Sequence, residues 1–289
     1  MECLIKGNAE GVSNNISETF VNVKSDAEVG KLPIHIACEK GFFSIVQLLM
    51  EHNCNIECED KLQRRPIHWA SRYGHADVVR LLIDRNCNIE CEDDEQVRPI
   101  HYASWNGHAD VVRLLIDRNC NIECEDKWQR RPIHYASWNG HADVVRLLID
   151  RNCNIECEDK WQRRPIHYAS WNGHADVVRL LIDRNCNIEC EDNEQWRPIH
   201  WASRYGHADV VRLLIDRNCN IECEDDEQRR PIHYACWNGH AEIIQLLMLN
   251  KCQIECKTKG GKTPLDLARL YNKMDCAELL SNGKTLIKV

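Results

Sequence analysis

This sequence contains few glycines and prolines, and its basic residues are fewer than its acidic ones. With 13 glycines and 8 prolines in 289 residues, the composition excludes a collagen-like chain and a disordered low-complexity chain. No stretch approaches the ~18 consecutive apolar residues of a membrane span, and residues 1–7 lack the apolar core of a secretory signal. The 37 Lys and Arg residues are outnumbered by 45 Asp and Glu residues, and the net charge of −8 disfavours a phosphate-rich partner. We therefore expect neither membrane association nor secretion.

The prolines reveal a strict internal repeat. All eight lie 33 residues apart, at positions 33, 66, 99, 132, 165, 198, 231 and 264. Length alone would suggest two domains at ~150 residues each, but a fixed period of this size indicates a stacked array. The sequence thus predicts a single elongated repeat domain over residues 1–289, with an N-terminal cap (1–31), seven 33-residue repeats (32–262) and a C-terminal cap (263–289).

Each repeat carries the signals of two short helices. In one near-identical copy, Pro66 suits the first turn of a helix, and Gly74 supplies the left-handed residue that ends it. A second helix is predicted from about Ala76 to Arg85, because its apolar residues form a stripe at helical spacing, and Asn86 is predicted to stop it. Residues 87–91 then alternate as an extended run that leads into a polar tip.

This pattern resembles the ankyrin repeat family, and the resemblance covers essentially the whole chain. The family's Thr-Pro-Leu-His-x-Ala motif appears here as Arg-Pro-Ile-His-[Trp/Tyr]-Ala, and Gly-His opens the second helix. The resemblance implies an all-α repeat solenoid, in which an ankyrin-like stack of helix-turn-helix units with β-finger loops binds partners on a concave surface of finger tips and first helices. One departure is that Arg65 and its equivalents replace a threonine whose hydroxyl would cap the helix, so stability must come from elsewhere.

Cysteine and histidine recur with the repeat. Of the 18 cysteines, 14 form seven Cys-x3-Cys pairs, for which zinc sites, disulfides and buried thiols are competing explanations. In a straight run Cys87 and Cys91 would stand about 13 Å apart, so we predict reduced, buried thiols, no metal, and a cytoplasmic or nuclear location. Of the 14 histidines, 13 form two ladders headed by His35 and His75, and each imidazole is expected to bond the backbone of its own or the next repeat. Such a ladder is no asymmetric catalytic constellation, so we predict neither an enzyme nor a cofactor.

The repeats differ at six slots only. Among the five near-copies between residues 65 and 229, 27 of 33 positions do not vary; three variable slots lie at the finger tip and three on the first helix. Across six repeats these slots hold all nine Trp and six of the seven Tyr, and Trp, Tyr and Arg dominate the energetics of protein interfaces. A constant frame with variable slots is the pattern that recent tandem duplication and deliberate engineering would both leave. The predicted partner-binding residues are Lys61, Arg64, Trp69, Arg72, Tyr73, Tyr102, Trp105, Lys127, Trp128, Arg130, Tyr135, Trp138, Lys160, Trp161, Arg163, Tyr168, Trp171, Trp196, Trp201, Arg204, Tyr205, Tyr234 and Trp237.

These slots predict a non-enzymatic, monomeric protein-interaction module. The middle of the variable surface is basic, from Lys127 to Arg164, and acidic tips flank it on both sides, so a protein or peptide with an acidic central segment is the expected partner. A nucleic-acid or nucleotide-binding array is one alternative, because aromatic rings stack on bases. A self-associating scaffold without a dedicated ligand is another. The aromatic side chains would also fit a scaffold role, in which they pack on one another between fingers and helices.

Overall fold

A computed structural model describes residues 30–286 of the chain and the side chains of residues 30–282. The described part contains sixteen α-helices and no β-strand, so the predicted all-α repeat solenoid is confirmed. The helices are α1 (Pro33–Lys40), α2 (Phe43–Glu51), α3 (Pro66–Arg72), α4 (Ala76–Asp84), α5 (Pro99–Trp105), α6 (Ala109–Asp117), α7 (Pro132–Trp138), α8 (Ala142–Asp150), α9 (Pro165–Trp171), α10 (Ala175–Asp183), α11 (Pro198–Tyr205), α12 (Ala208–Asp216), α13 (Pro231–Asn238), α14 (Ala241–Leu249), α15 (Pro264–Leu270) and α16 (Met274–Leu286).

The helix boundaries follow the predicted signals. Helix α3 begins at Pro66, and Gly74, at φ +76°, turns the chain into α4. In α4, Val78, Val79 and Leu82 are fully buried, as the apolar stripe predicts. The chain leaves the helix through Asn86, at φ +61°, which confirms the predicted stop.

The predicted extended run after the second helix is wrong. The side chain of Asn88 accepts a hydrogen bond of 2.9 Å from the backbone N–H of Glu90 and holds the chain in a turn. At the tip, Gln96 has φ +60° and its N–H donates to the carbonyl of Asp93, which closes a second turn. The segment between a second helix and the next first helix, here called the finger, is therefore built from two turns, and the 13 Å separation inferred from a straight strand does not apply.

The chain forms two compact units. The first comprises residues up to Ala136 together with Arg146–Cys153, and the second comprises Ser137–Val145 and the residues from Asn154 onward. Within each unit, first helices pack on first helices and second helices on second helices, as α3 does on α5 and α12 on α14. No helix in the described part of the chain is both long and apolar enough to cross a membrane.

The two histidine ladders bond the backbone in different ways. On the first helix, His68 Nδ1 accepts the N–H of Arg65 at 2.9 Å, and its Nε2 bonds the carbonyl of Cys91 in the finger of the same repeat at 3.2 Å. Burial lowers the pKa of His68 to about 4, so the ring is neutral, with one nitrogen accepting and the other donating. The backbone bonding predicted for this ladder is confirmed. In the second ladder the bond goes instead to the preceding repeat, as from His108 Nε2 to the carbonyl of Arg72 at 3.0 Å.

The arginine that replaces the capping threonine forms a charged bridge. The Arg65 guanidinium bonds the carboxylates of Glu57 and Glu59, and the other oxygen of Glu57 accepts the backbone N–H of Asn88 in the following repeat at 2.7 Å. The same arrangement recurs at Arg98, where Glu90 and Glu92 are the acceptors. A link between repeats thus stands where the family motif has a hydroxyl cap.

The cysteines pack as apolar side chains in the finger bases. Cys87 and Cys91 are buried, and burial raises the pKa of each thiol to about 12. No disulfide joins any two of the described cysteines, and no group of three or more potential metal ligands lies among the described residues.

Of the two predicted caps, the C-terminal one lies largely within the described residues. The N-terminal cap at residues 1–31 lies outside the described residues, except for its last two. At the other end, the Thr263 hydroxyl and the Asp266 side chain cap α15 reciprocally. Leu280 of α16 is fully buried, whereas Leu279 is only half-buried and lines a cleft of about 1010 Å³ with Met248 and Ile254.

Candidate functional site

The exposed apolar side chains of the variable repeats all occupy variable slots. Between residues 61 and 238, five large hydrophobic side chains are exposed: Leu62 (40%), Tyr73 (44%), Trp105 (43%), Trp161 (37%) and Tyr205 (41%). Two lie at finger tips, Trp105 and Tyr205 are the last residues of first helices, and Tyr73 directly follows α3. Leu62 was not among the predicted binding residues, although its place in a tip slot is the signal that identifies it.

Seven of the predicted binding residues are buried. Their side chains pack inside the protein and therefore offer a partner little accessible area. They are Arg64, Trp69, Tyr135, Tyr168, Trp196, Trp201 and Tyr234.

A buried aspartate at the base of each tip explains the inward orientation. Asp60 Oδ2 accepts Trp69 Nε1–H at 3.2 Å, and Asp93 Oδ2 accepts the Tyr102 hydroxyl at 2.6 Å. The other oxygen accepts backbone N–H groups of the tip, as Asp93 Oδ1 does from Glu95 and Val97 at 3.0 and 2.9 Å. This first-helix position, the inner helix slot, alternates between Trp and Tyr because both reach the carboxylate with a polar hydrogen. The slot is therefore mainly structural.

The other predicted residues lie at the surface or half-buried. Those that are exposed are Lys61, Tyr73, Trp105, Lys127, Lys160, Trp161 and Tyr205. Those that are half-buried are Arg72, Tyr102, Trp128, Arg130, Trp138, Arg163, Trp171, Arg204 and Trp237.

Aromatic rings and guanidinium groups form a continuous stack in the second unit. The rings of Trp138 and Trp171 are 5.5 Å apart, and those of Trp171 and Trp201 are 4.2 Å apart and nearly parallel. The Arg163 guanidinium lies 5.2 Å from Trp171 and 5.0 Å from Trp201. The alternative that these side chains pack on one another is thus partly correct, and the stack presents pre-ordered rings at the surface.

Acidic groups neutralise much of the basic character of the tips. Arg130 Nε lies 3.1 Å from Asp126 Oδ2, and Lys127 Nζ lies 3.4 Å from Glu95 Oε2. In the second unit, Arg163 Nε lies 3.6 Å from Asp192 Oδ2. Because these cations already face carboxylates, they attract a phosphate backbone less than isolated charges would, and nothing here favours the nucleic-acid alternative.

A cleft of about 510 Å³ opens among the fingers of the first unit. Its apolar lining includes Leu62, Val97, Trp105 and Trp128, and Asp94 and Glu95 contribute carboxylates. Val97 ends the tip at this cleft, whereas the other two described tips of the first unit end in Arg64 and Arg130. Val97 stands in a variable tip slot, but the sequence does not predict the cleft, because the cleft depends on how adjacent fingers pack.

Known proteins support this architecture. A family model described as ankyrin repeats (3 copies) matches residues 1–93, 86–159 and 151–225, and one described as ankyrin repeats (many copies) matches residues 214–268. The crystal structure of the human ASB11 ankyrin repeat domain has a similar fold, with a TM-score of 0.71 and 24% identity, over 75% of this chain and 98% of that chain. No curated protein sequence matches this chain. Ankyrin repeats are generally protein–protein interaction modules and are generally not enzymes. With family matches along nearly its entire length, the chain belongs to the ankyrin repeat family.

Proposed function

We propose that this protein is a non-enzymatic binding module that contacts a protein partner through its finger tips and the outer face of its first helices. The observation that carries the proposal is the placement of its exposed rings. Tyr73, Trp105, Trp161 and Tyr205 all stand in variable slots, and the second helices of the same repeats expose no large hydrophobic side chain among their described residues.

The rings are suited to binding because they are held before a partner arrives. The stack of Tyr205 with Trp201, with ring centres 6.2 Å apart, rests on a side chain that is hydrogen-bonded to buried Asp192. Ordering an aromatic side chain in advance reduces the entropy lost on binding. Large, rigid aromatic side chains of this kind are typical interface hot spots, and truncation of one to alanine commonly costs ≥2 kcal/mol.

The charged residues at the finger tips indicate which charges the proposed partner carries. Lys127 and Lys160 are exposed at tips, and Asp94 and Asp226 are exposed at other tips. This supports the predicted partner with an acidic segment, flanked by segments that tolerate or complement carboxylates. We further propose that the protein acts as a monomer in a reducing compartment; sedimentation velocity over a range of concentrations tests the first part.

The test is affinity capture with matched variants. One variant replaces the four exposed rings, as Tyr73→Ala, Trp105→Ala, Trp161→Ala and Tyr205→Ala together. The control replaces an equal number of exposed second-helix arginines: Arg80, Arg113, Arg146 and Arg179, each changed to alanine.

The two variants should behave differently. We expect the ring variant to lose proteins that the unaltered chain captures, while the arginine variant retains them and both keep their helical circular dichroism. Loss with the arginine variant alone would place binding on the second helices and overturn the proposal. Equal capture by all three chains would show that the variable rings do not bind.

A further inference from the structure

One finger of the first unit lacks the side chain that fills the equivalent space in its neighbours. The last variable position of a tip, here called the tip-end slot, is arginine at 64, 130, 163 and 229, tryptophan at 196 and valine at 97. The 510 Å³ cleft lies at Val97. The occupants of the other slots therefore show which chemistry this position accommodates.

Arginine in the tip-end slot makes the same contacts in two fingers of this unit. The Arg64 guanidinium donates from Nε to Asp60 at 3.1 Å and lies 4.1 Å from the ring of Trp69 in the inner helix slot. The Arg130 guanidinium donates from Nε to Asp126 at 3.1 Å and lies 4.9 Å from the ring of Tyr135. In both fingers a cation thus lies between a buried carboxylate and an aromatic face.

The finger of Val97 retains both halves of this arrangement without the cation. Asp93 is buried and lines the cleft beside the half-buried ring of Tyr102. Its Oδ2 accepts the Tyr102 hydroxyl, and no guanidinium among the described residues bonds Asp93, whereas Oδ2 of Asp60 accepts from both Arg64 and Trp69. Asp94 and Glu95 add carboxylates at the same cleft.

We infer that this cleft binds an arginine side chain of the protein partner, which supplies from outside the guanidinium that Val97 cannot. The inference rests on the proposed protein-binding function and specifies one of its contacts. The planar guanidinium stacks on Tyr102 and donates to the carboxylates of Asp93 and Asp94, while its methylene stem contacts Leu62 and Val97.

Two cations of the chain itself oppose the carboxylates of the cleft: Arg72 belongs to its lining, and Lys127 pairs with the lining residue Glu95. Arg72 lies 5.7 Å from the Tyr102 ring, and Lys127 lies 3.4 Å from Glu95. Arg64 and Arg130 line the cleft as well, but each is neutralised by its own buried aspartate. Arg72 and Lys127 oppose Asp93, Asp94 and Glu95, so one carboxylate remains in excess. An arginine has the matching charge, and a neutral isostere does not.

The experiment uses the full chain labelled with ¹⁵N and three short peptides. They are acetyl-Gly-Gly-Xaa-Gly-Gly-amide with Xaa as arginine, citrulline or tryptophan. The indole N–H signals of Trp105 and Trp128, which line the cleft, report binding. We expect saturable shifts with the arginine peptide and at least about 10-fold weaker binding of the citrulline peptide, because only the former makes charge-assisted hydrogen bonds.

A variant that closes the cleft from within is the second arm. Val97→Arg places the guanidinium of the other fingers beside Asp93 and should abolish the shifts without loss of helix. Val97→Leu adds apolar volume without charge and should weaken binding less than Val97→Arg does. Equal binding of the arginine and citrulline peptides, stronger binding of the tryptophan peptide, unchanged shifts in Val97→Arg, or no shift with any peptide would each overturn the inference.

The same variant separates this inference from the broader proposal. If Val97→Arg still captures partners that the four-ring variant loses, the protein-binding function stands and the arginine contact is wrong. If neither variant alters capture, the proposed binding surface itself is wrong.

Discussion

Tyr168→Phe tests whether the inner helix slot is a structural position. Tyr168 is fully buried, and its hydroxyl donates to Oδ2 of Asp159, which is itself only 3% exposed. Asp159 Oδ1 holds the tip by accepting the N–H groups of Trp161 and Arg163 at 2.9 and 2.8 Å. Phenylalanine keeps the ring and its contact with Trp138, at 4.8 Å between centres, but removes the only polar hydrogen of the side chain.

The expected cost follows from burial and charge. A hydrogen bond to a charged group contributes roughly 1.5–3 kcal/mol, and a buried acceptor that loses its donor has no water to replace it. At about 2–4 °C per kcal/mol for a chain of this size class, Tyr168→Phe should lower the melting temperature by about 3–12 °C.

The chain contains a matched control. Tyr205 lies on the corresponding helix of the next repeat, but its ring is 41% exposed, so Tyr205→Phe should change stability by no more than about 0.5 kcal/mol. Both variants are compared by thermal unfolding followed by circular dichroism at 222 nm. A double-mutant cycle of Tyr168→Phe with Asp159→Asn isolates the pair and should give a coupling of about 1 kcal/mol or more. If the two Tyr→Phe changes have equal effects and the coupling is near zero, the aspartate does not determine the identity of the slot.

Three further features and the repeat count give predictions of their own. First-helix histidines such as His68 have a pKa of about 4 in the folded state and 6.5 in the unfolded state, so the unfolded state binds more protons between these two pH values. The free energy of unfolding should therefore fall from pH 6.5 towards pH 4, by about 2 kcal/mol per imidazole at pH 5. Full helicity at pH 4 would contradict this. Gly74→Ala should destabilise more than Gly261→Ala, since both need positive φ but only at Gly74 would a Cβ meet a neighbour, His108 Nδ1 at 2.4 Å; equal melting temperatures would contradict the clash. Thiols such as that of Cys91, with a pKa of about 12, should react slowly with a disulfide reagent in the folded protein, and all 18 should react after denaturation. Deleting one complete 33-residue repeat should leave a folded, shorter protein if the chain is a single repeat domain, and loss of all helix would argue against that organisation.

Local signals predicted the helices because each depends on one residue and its immediate backbone. Pro66 begins α3, and Asn86 takes the left-handed conformation that ends α4, since both effects are steric and act within one turn. The prediction of an extended finger was wrong for the converse reason. Alternation of side chains predicted a strand, but the Asn88 side chain offers its own backbone a competing hydrogen bond, and a two-residue local contact prevails over a weak periodic preference.

The candidate site was harder to predict because its residues divide by orientation, which composition does not reveal. Trp69 and Trp105 are both first-helix tryptophans in variable slots, yet one is buried and the other is exposed. The distinction depends on an aspartate nine residues before the inner helix slot, and a separation of nine has no meaning in either helical or strand periodicity. The sequence feature that marks the inner helix slot as structural is that it holds only Trp or Tyr, always nine residues after an aspartate that does not vary.

The outer helix slots do not vary independently of the inner one. Where the inner slot is Trp, the outer pair is Arg-Tyr, and the arginine spans two repeats: Arg72 lies 5.9 Å from Tyr73 and 5.7 Å from Tyr102 of the next repeat. Where the inner slot is Tyr, the outer pair is Trp-Asn, and the asparagine bonds back to its own helix, as Asn106 Nδ2 does to the Tyr102 carbonyl at 2.9 Å. Both sets of slot residues therefore contact the following repeat: the Trp set does so through its arginine, and the Tyr set through its outer tryptophan, as the ring of Trp105 lies 4.9 Å from that of Tyr135. Each set of slot residues satisfies its own polar groups, so the exposed rings can differ between repeats while the buried aspartates remain hydrogen-bonded. A variable binding surface on a constant frame requires this.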